Sequence, residues 1–119
     1  LMPKILIDVP MPVSYINKEL VNEISLLEPF GKGNAKPLFA QKGLHVLSSR
    51  VLGKNRNVAK LQLSDHTGCV VEAVYFGEAD EFVNAVKESS SISVTYYPEI
   101  NRYQGRENLQ IVIRNYLAE

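Results

Sequence analysis

Residues 92–116, ISVTYYPEINRYQGRENLQIVIRNY, constrain this chain more than any other stretch. In the first arm Ile92, Val94 and Tyr96 fall on one side of an extended backbone, with Ser93, Thr95 and Tyr97 on the other. In the second, Leu109, Ile111 and Ile113 point one way and Gln110 and Arg114 the other. A period of two is the mark of a half-buried strand, so the two arms demand an antiparallel hairpin with one face on a core. The tip between them, residues 101–106, carries Arg102, Tyr103 and Arg106 around Gly105. Guanidinium groups beside a flat ring suit a ligand with both negative charge and ring faces, which describes single-stranded nucleic acid. The competing reading is a solvated turn with incidental charges.

The 119 residues suffice for one domain with a real core plus a short appendage. No apolar run approaches the length that spans a bilayer, and no secretory leader is visible at the amino end. Cys69 stands alone, so no intrachain disulfide can form, and the expected compartment is the cytoplasm. The chain runs from Leu1 almost directly into a strand-like segment, as a piece of a longer polypeptide would. Its net charge is zero, which by itself argues against a phosphate binder. Distribution argues the other way. Between Glu28 and Asp65 lie Lys32, Lys36, Lys42, Arg50, Lys54, Arg56 and Lys60 with no acid, and from Asp65 to Glu88 the acids dominate, with Lys87 the one base. Such segregation can give one face a positive field in a neutral molecule.

Ile5, Leu6 and Ile7 read as the end of a strand, which Pro10 and Pro12 stop from continuing. A helix follows, with Ser14 or Asn17 as N-cap and Ile16, Leu20, Ile24 and Leu27 as its apolar stripe, ended by Pro29. Residues 29–37 hold two glycines, an asparagine and two prolines. They read as a tightly specified linker, and less as a phosphate cradle helped by Lys32 or Lys36. Residues 44–52 form a strand, bulged near Ser48 and Ser49; 58–64 a second, with Ala59, Leu61 and Leu63 inward; 69–76 a third, with Val71, Ala73 and Tyr75 inward. Tyr75, Phe76 and Tyr96 are assigned to the core. Residues 78–88 make a short helix whose Ala79, Phe82, Val83 and Val86 share a face, with acids in its first turn.

Three strands, a helix and two strands is the order of the OB-fold, a small partly open barrel that binds oligomers across its second and third strands. The two loops that frame such a site correspond here to residues 53–57 and 101–107, and both are basic. The predicted class is therefore mainly β with flanking helices: a five-stranded OB barrel over 38–119, preceded by a strand-helix segment and linker, 1–37, from the end of a neighbouring domain. Both basic loops are expected on the same side of the barrel.

Leu27, Glu28, Pro29, Phe30, Gly31, Lys32, Gly33 and Asn34, followed by Pro37 and Phe39, resemble a Pro-Phe-Gly-x-Gly-Asn-Pro segment of RecJ-type single-stranded-DNA-specific exonucleases. Ile100, Asn101, Tyr103 and Gly105, with Leu109 and Gln110 beyond, resemble the same family's OB domain. Ala35 departs from the usual proline, and Tyr103 stands where tryptophan is common. The resemblance implies a parent enzyme that degrades single-stranded DNA from its 5′ end, with Mn or Mg held in an amino-terminal catalytic domain. This chain has only His45 and His66, too few ligands for such a dinuclear site, so no cofactor is assigned to it.

The expected partners are single-stranded DNA and the catalytic domains of the same polypeptide, without a membrane. Arg50, Lys54, Arg56 and Lys60 are candidates for phosphate contacts, Tyr97 and Tyr103 for stacking on bases, and Arg102 and Arg106 for either. No catalytic or metal residue is assigned. The alternative is a protein-interaction or bracing module of the same kind of enzyme, using the same barrel without binding DNA by itself.

Overall fold

The computed structural model describes residues 7–10, 12–25 and 38–119. The elements are β1 (Ile7–Pro10), a 3-10 turn (Val13–Tyr15), α1 (Lys18–Ser25), β2 (Leu38–Leu52), β3 (Val58–Ser64), β4 (Val70–Phe76), α2 (Ala79–Lys87), β5 (Ile92–Tyr103) and β6 (Arg106–Ala118). Strands β2 to β6 close in a ring. β2 pairs with β3, β3 with β4, β4 in parallel with β6, β6 with β5, and β5 returns to β2. That is the OB barrel which the order of strands and helix led one to expect.

Closure depends on β2 serving two partners. Its first half meets β5 from Phe39 to Leu44, and its second half meets β3 from His45 to Leu52. Between Gln41 and Leu44 the register slips, and Gly43 there takes a φ of 70°, open to glycine at little cost. A second slip falls between Val46 and Ser48, which puts the extra residue at Leu47, just before the serines where the sequence suggested it. Bulges add twist and let one strand pass from one sheet to the next. The strand begins six residues earlier than its apolar pattern indicated, because Leu38 and Phe39 are buried under β1 and β5 while Lys42 and Gly43 break the alternation.

β1 corrects the sequence reading. The strand does not stop before the proline: it runs through Pro10, pairing in parallel with Leu38, Phe39 and Ala40 of β2. Proline is tolerated there because β1 is an edge strand and Pro10 is its last residue. Beyond it, Val13 and Ile16 join the barrel core, and the Val13 amide donates to Gln41 Oε1 at 2.7 Å. Asn17 caps α1, its Oδ1 accepting from the Leu20 amide at 2.8 Å. The side chain of Ile24, Leu27 and the whole of residues 29–37, with the suggested phosphate cradle, lie outside the described residues.

The core follows the predicted alternation. Ala59, Leu61 and Leu63 of β3, Val71 and Ala73 of β4, and Ile92, Val94 and Tyr96 of β5 all face inward and are buried. Helix α2 adds Ala79, Phe82, Val83 and Val86. Tyr75 stacks on Phe82 with ring centroids 4.3 Å apart, and Tyr116 meets both rings edge-on at 5.5 and 4.6 Å. Tyr116 reaches them through a bulge: Thr95 pairs with Asn115 but Tyr96 pairs with Ile113, so Arg114 is the extra residue and reverses the facing of everything after it. No helix among the described residues is long and apolar enough to cross a membrane.

Candidate nucleic-acid interface

The register of the ladders sorts the candidate residues by face. Ala59, Leu61 and Leu63 point into the barrel, so Lys60 and Gln62 point out. Carried across the sheet, the pairs Arg50 with Lys60, Lys60 with Val74, Val74 with Val112 and Val112 with Tyr97 form one row on the side away from the barrel core, with Val74 and Val112 in its middle buried. The neighbouring row holds Ser48, Gln62, Glu72, Gln110 and Glu99. Farther along β5 and β6, Asn101 opposes Asn108 and Tyr103 opposes Arg106, still on the outer face. Arg50, Lys60, Tyr97, Tyr103 and Arg106 thus lie on the same side of the sheet, and Ser48, Ser49, Arg50, Lys60, Gln62 and Glu72 line a polar groove of about 370 Å³ at the Arg50–Lys60 end of it.

The two basic loops frame that surface from its ends. Residues 53–57 follow the Leu52–Val58 end of the β2–β3 hairpin, where Val58 also pairs with Phe76. The β5–β6 tip lies at the other end, beyond the level where Glu72 meets Gln110, roughly 25 Å away at ordinary strand rise. The expectation of one shared side gives way to two ends of one outer face. The tip is also tighter than the loop 101–107 read from the sequence. Tyr103 and Arg106 still pair, leaving Gln104 and Gly105 as a two-residue turn with φ of 51° and 77°, the positive pair that a type I′ hairpin uses.

Not every candidate cation is available to a ligand. Arg56, on the 53–57 loop, donates from Nε and Nη2 to the two carboxylate oxygens of Asp80 in the first turn of α2, at 2.7 and 2.6 Å. This bidentate pair raises the guanidinium pKa and holds Asp80 below the usual carboxylate range, the hydrogen bonds being the larger cause in each case. Arg102 lies on the opposite face from Tyr103, donating to Glu107 Oε2 at 3.0 Å, while Lys18 of α1 approaches Glu107 Oε1 at 3.7 Å. The Glu107 carboxyl is lowered, chiefly by Arg102. Arg50, Lys54, Lys60 and Arg106 make no ion pair among the described residues.

Phe76 is the residue that sequence reasoning misplaced. Assigned to the core, it is 61 % exposed at the outward end of β4, opposite Val58 and two residues along the strand from Val74. Its partner in that assignment, Tyr96, is fully buried, and Tyr75 packs inward. Strand parity contained the signal: Glu72, Val74 and Phe76 share a side, so placing Tyr75 inward places Phe76 outward. Gln110 does face outward as expected, yet it is only 8 % exposed, donating to Glu99 Oε2 at 2.7 Å.

No three His, Cys, Asp or Glu side chains come together as a metal set among the described residues, and Cys69 is half-buried with a free thiol. His45 and His66 are exposed. Asp65 closes the β3–β4 turn: its Oδ1 accepts from the Thr67 amide at 2.9 Å, the Thr67 hydroxyl at 2.6 Å and the Cys69 amide at 3.0 Å.

The fold matches the crystal structure of RecJ from Thermus thermophilus in complex with Mn2+, with a TM-score of 0.65 and 21 % identity over 92 % of this chain. The Mg2+ complex of the same protein gives 0.63 and 21 % over 90 %. In both, this chain spans about 15 % of the length of the matched protein. No curated protein sequence matches. The family profile described as the RecJ OB domain covers residues 7–115, from β1 to the bulge of β6, so the chain belongs to the RecJ OB-domain family.

Proposed function

We propose that this chain is the single-stranded-DNA-binding OB domain of a RecJ-like 5′-to-3′ exonuclease, working in the cytoplasm and holding the strand for catalytic domains elsewhere in the same polypeptide. The observation that carries this reading is the outer face itself. Arg50, Lys60 and Arg106 lie on one side of the sheet with Tyr97, Tyr103 and the exposed Phe76, and Lys54 stands at its end. Cations along a groove for phosphates, with rings on which bases stack, are the two requirements for holding a single strand. Arg102 and Arg56 act indirectly, the first pairing across the hairpin with Glu107, which Lys18 of α1 also approaches, and the second fastening the 53–57 loop to α2. Any Mn or Mg of the reaction belongs to the catalytic domains.

A second reading has its own observation. Along β2, β5 and β6, a largely apolar groove of about 560 Å³ is lined by Pro12, Ala40, Ser93, Thr95 and the exposed Leu117, among others. A bracing module would use that groove and need no DNA.

Titration of a fluorescently labelled single-stranded oligonucleotide at two salt concentrations separates the two. With Arg50, Lys54, Lys60 and Arg106 on phosphates, affinity should fall roughly 50-fold between 50 and 200 mM salt. No binding at 50 mM salt would sink the DNA-holding reading and leave the brace.

A further inference from the structure

The row beside Arg50 and Lys60 does not look like a surface selected for phosphate alone. Gln62, Glu72, Gln110 and Glu99 stand side by side on β3, β4, β6 and β5, joined by consecutive register pairs. Gln62 Nε2 donates to Glu72 Oε2 at 3.1 Å, and Gln110 Nε2 donates to Glu99 Oε2 at 2.7 Å. A carboxylate only accepts hydrogen bonds, so each amide must turn its NH2 toward its glutamate, which leaves the carbonyl of the exposed Gln62 and the second carboxylate oxygens of Glu72 and Glu99 as the groups on offer, Gln110 itself being buried. Neither Glu72 nor Glu99 has an ion-pair partner among the described residues, although Lys60 and Arg50 line the same groove as Glu72. The outer side of the sheet therefore sets two cations, Arg50 and Lys60, beside a row of acceptors that bears two negative charges, one side chain along the strands.

Resting on the strand-holding function just described, we propose that this acceptor row reads the edges of bases, favouring those with exocyclic amino groups over thymine. Two carboxylates repel a phosphate, so a strand laid on this face puts its backbone along Arg50 and Lys60 and its bases over the acceptors. Cytosine offers the N4 amino group, for which a glutamate is a fitting acceptor, and adenine offers N6. Thymine carries a carbonyl at the corresponding position, and that oxygen is repelled by a carboxylate. Gln110 is buried and fastened to Glu99, which holds Glu99 in place before the ligand arrives. Specificity then comes from a fixed row of acceptors, while the exposed rings supply affinity without preference.

The test compares labelled (dC)15 and (dT)15 by fluorescence anisotropy at pH 8 and 50 mM salt, with the intact chain and with the double variant Glu72→Gln, Glu99→Gln. The intact chain should bind (dC)15 about tenfold more tightly, and the variant should bring the two within about twofold of each other. Equal or tighter binding of (dT)15 by the intact chain overturns the inference while leaving the strand-holding function standing. A (dC)15 preference that survives in the variant overturns the assignment to this row. Failure to bind either oligonucleotide removes the function itself, and the inference with it.

Discussion

Arg56 and Asp80 are joined by two parallel hydrogen bonds that tie the β2–β3 loop to the first turn of α2. The arginine also has a φ of 53°, so its backbone as well as its side chain is held in an unusual state. A cation engaged this way is withheld from phosphate. Asp80→Asn should release it, tightening oligonucleotide binding at low salt and steepening the salt dependence by about 0.7 in log–log slope. Arg56→Ala should leave both nearly unchanged. Affinity measured across a salt series checks the pair.

Adjacent residues on β4 are expected to behave in opposite ways. Tyr75 packs inward against Phe82 and Phe76 lies exposed on the outer face. Tyr75→Ala should cost about 2 kcal/mol of folding stability, read from urea denaturation. Phe76→Ala should leave the urea midpoint in place and weaken oligonucleotide binding by about 1–3 kcal/mol.

Acid should loosen the β3–β4 turn. The Asp65 carboxyl is lowered, first by the Thr67 hydroxyl and also by the Thr67 and Cys69 amides, against an opposing effect of burial. A depressed folded pKa contributes stability that is complete above the unfolded value, about 3.9, and is lost as pH falls through the folded one. Asp65→Asn keeps an acceptor oxygen but cannot titrate, so its urea midpoint should fall less steeply than that of the unmodified chain from pH 5 to pH 2.

The hairpin tip can be improved or broken. Gln104 occupies a positive-φ position that asparagine fills at lower cost, and Gln104→Asn should raise stability by about 0.5 kcal/mol. At Gly105 a Cβ would meet nothing within 4 Å, so only its φ of 77° resists substitution. Gly105→Val should therefore cost about 1–2 kcal/mol. Thermal melts of both variants measure the two changes.

Much of the barrel could be read directly from residue spacing. β3 alternates so cleanly that its inward face, Ala59, Leu61 and Leu63, is evident from spacing alone, and α2 shows its buried face through Ala79, Phe82, Val83 and Val86. Local periodicity reveals what a residue faces when one face is apolar. It fails where a strand turns between partners, as at Gly43 in β2, and where a proline ends an edge strand, as at Pro10. It is silent about which acid a given arginine will find. Arg56 and Asp80 are 24 residues apart, and nothing near either one announces the other. The face of Phe76, by contrast, follows from the parity of β4, against the general tendency of aromatic side chains to join the core.

The joint between β5 and the first half of β2 imposes an order on biosynthesis. Phe39 waits for Tyr96, so a nascent chain emerging from the ribosome carries an unsealed meander of three strands until the fifth has been made. During that interval the apolar lining of Leu61, Leu63 and Ala73 can be covered by α2 but not by Ile92, Val94 and Tyr96, so the unfinished barrel leaves part of its interior exposed.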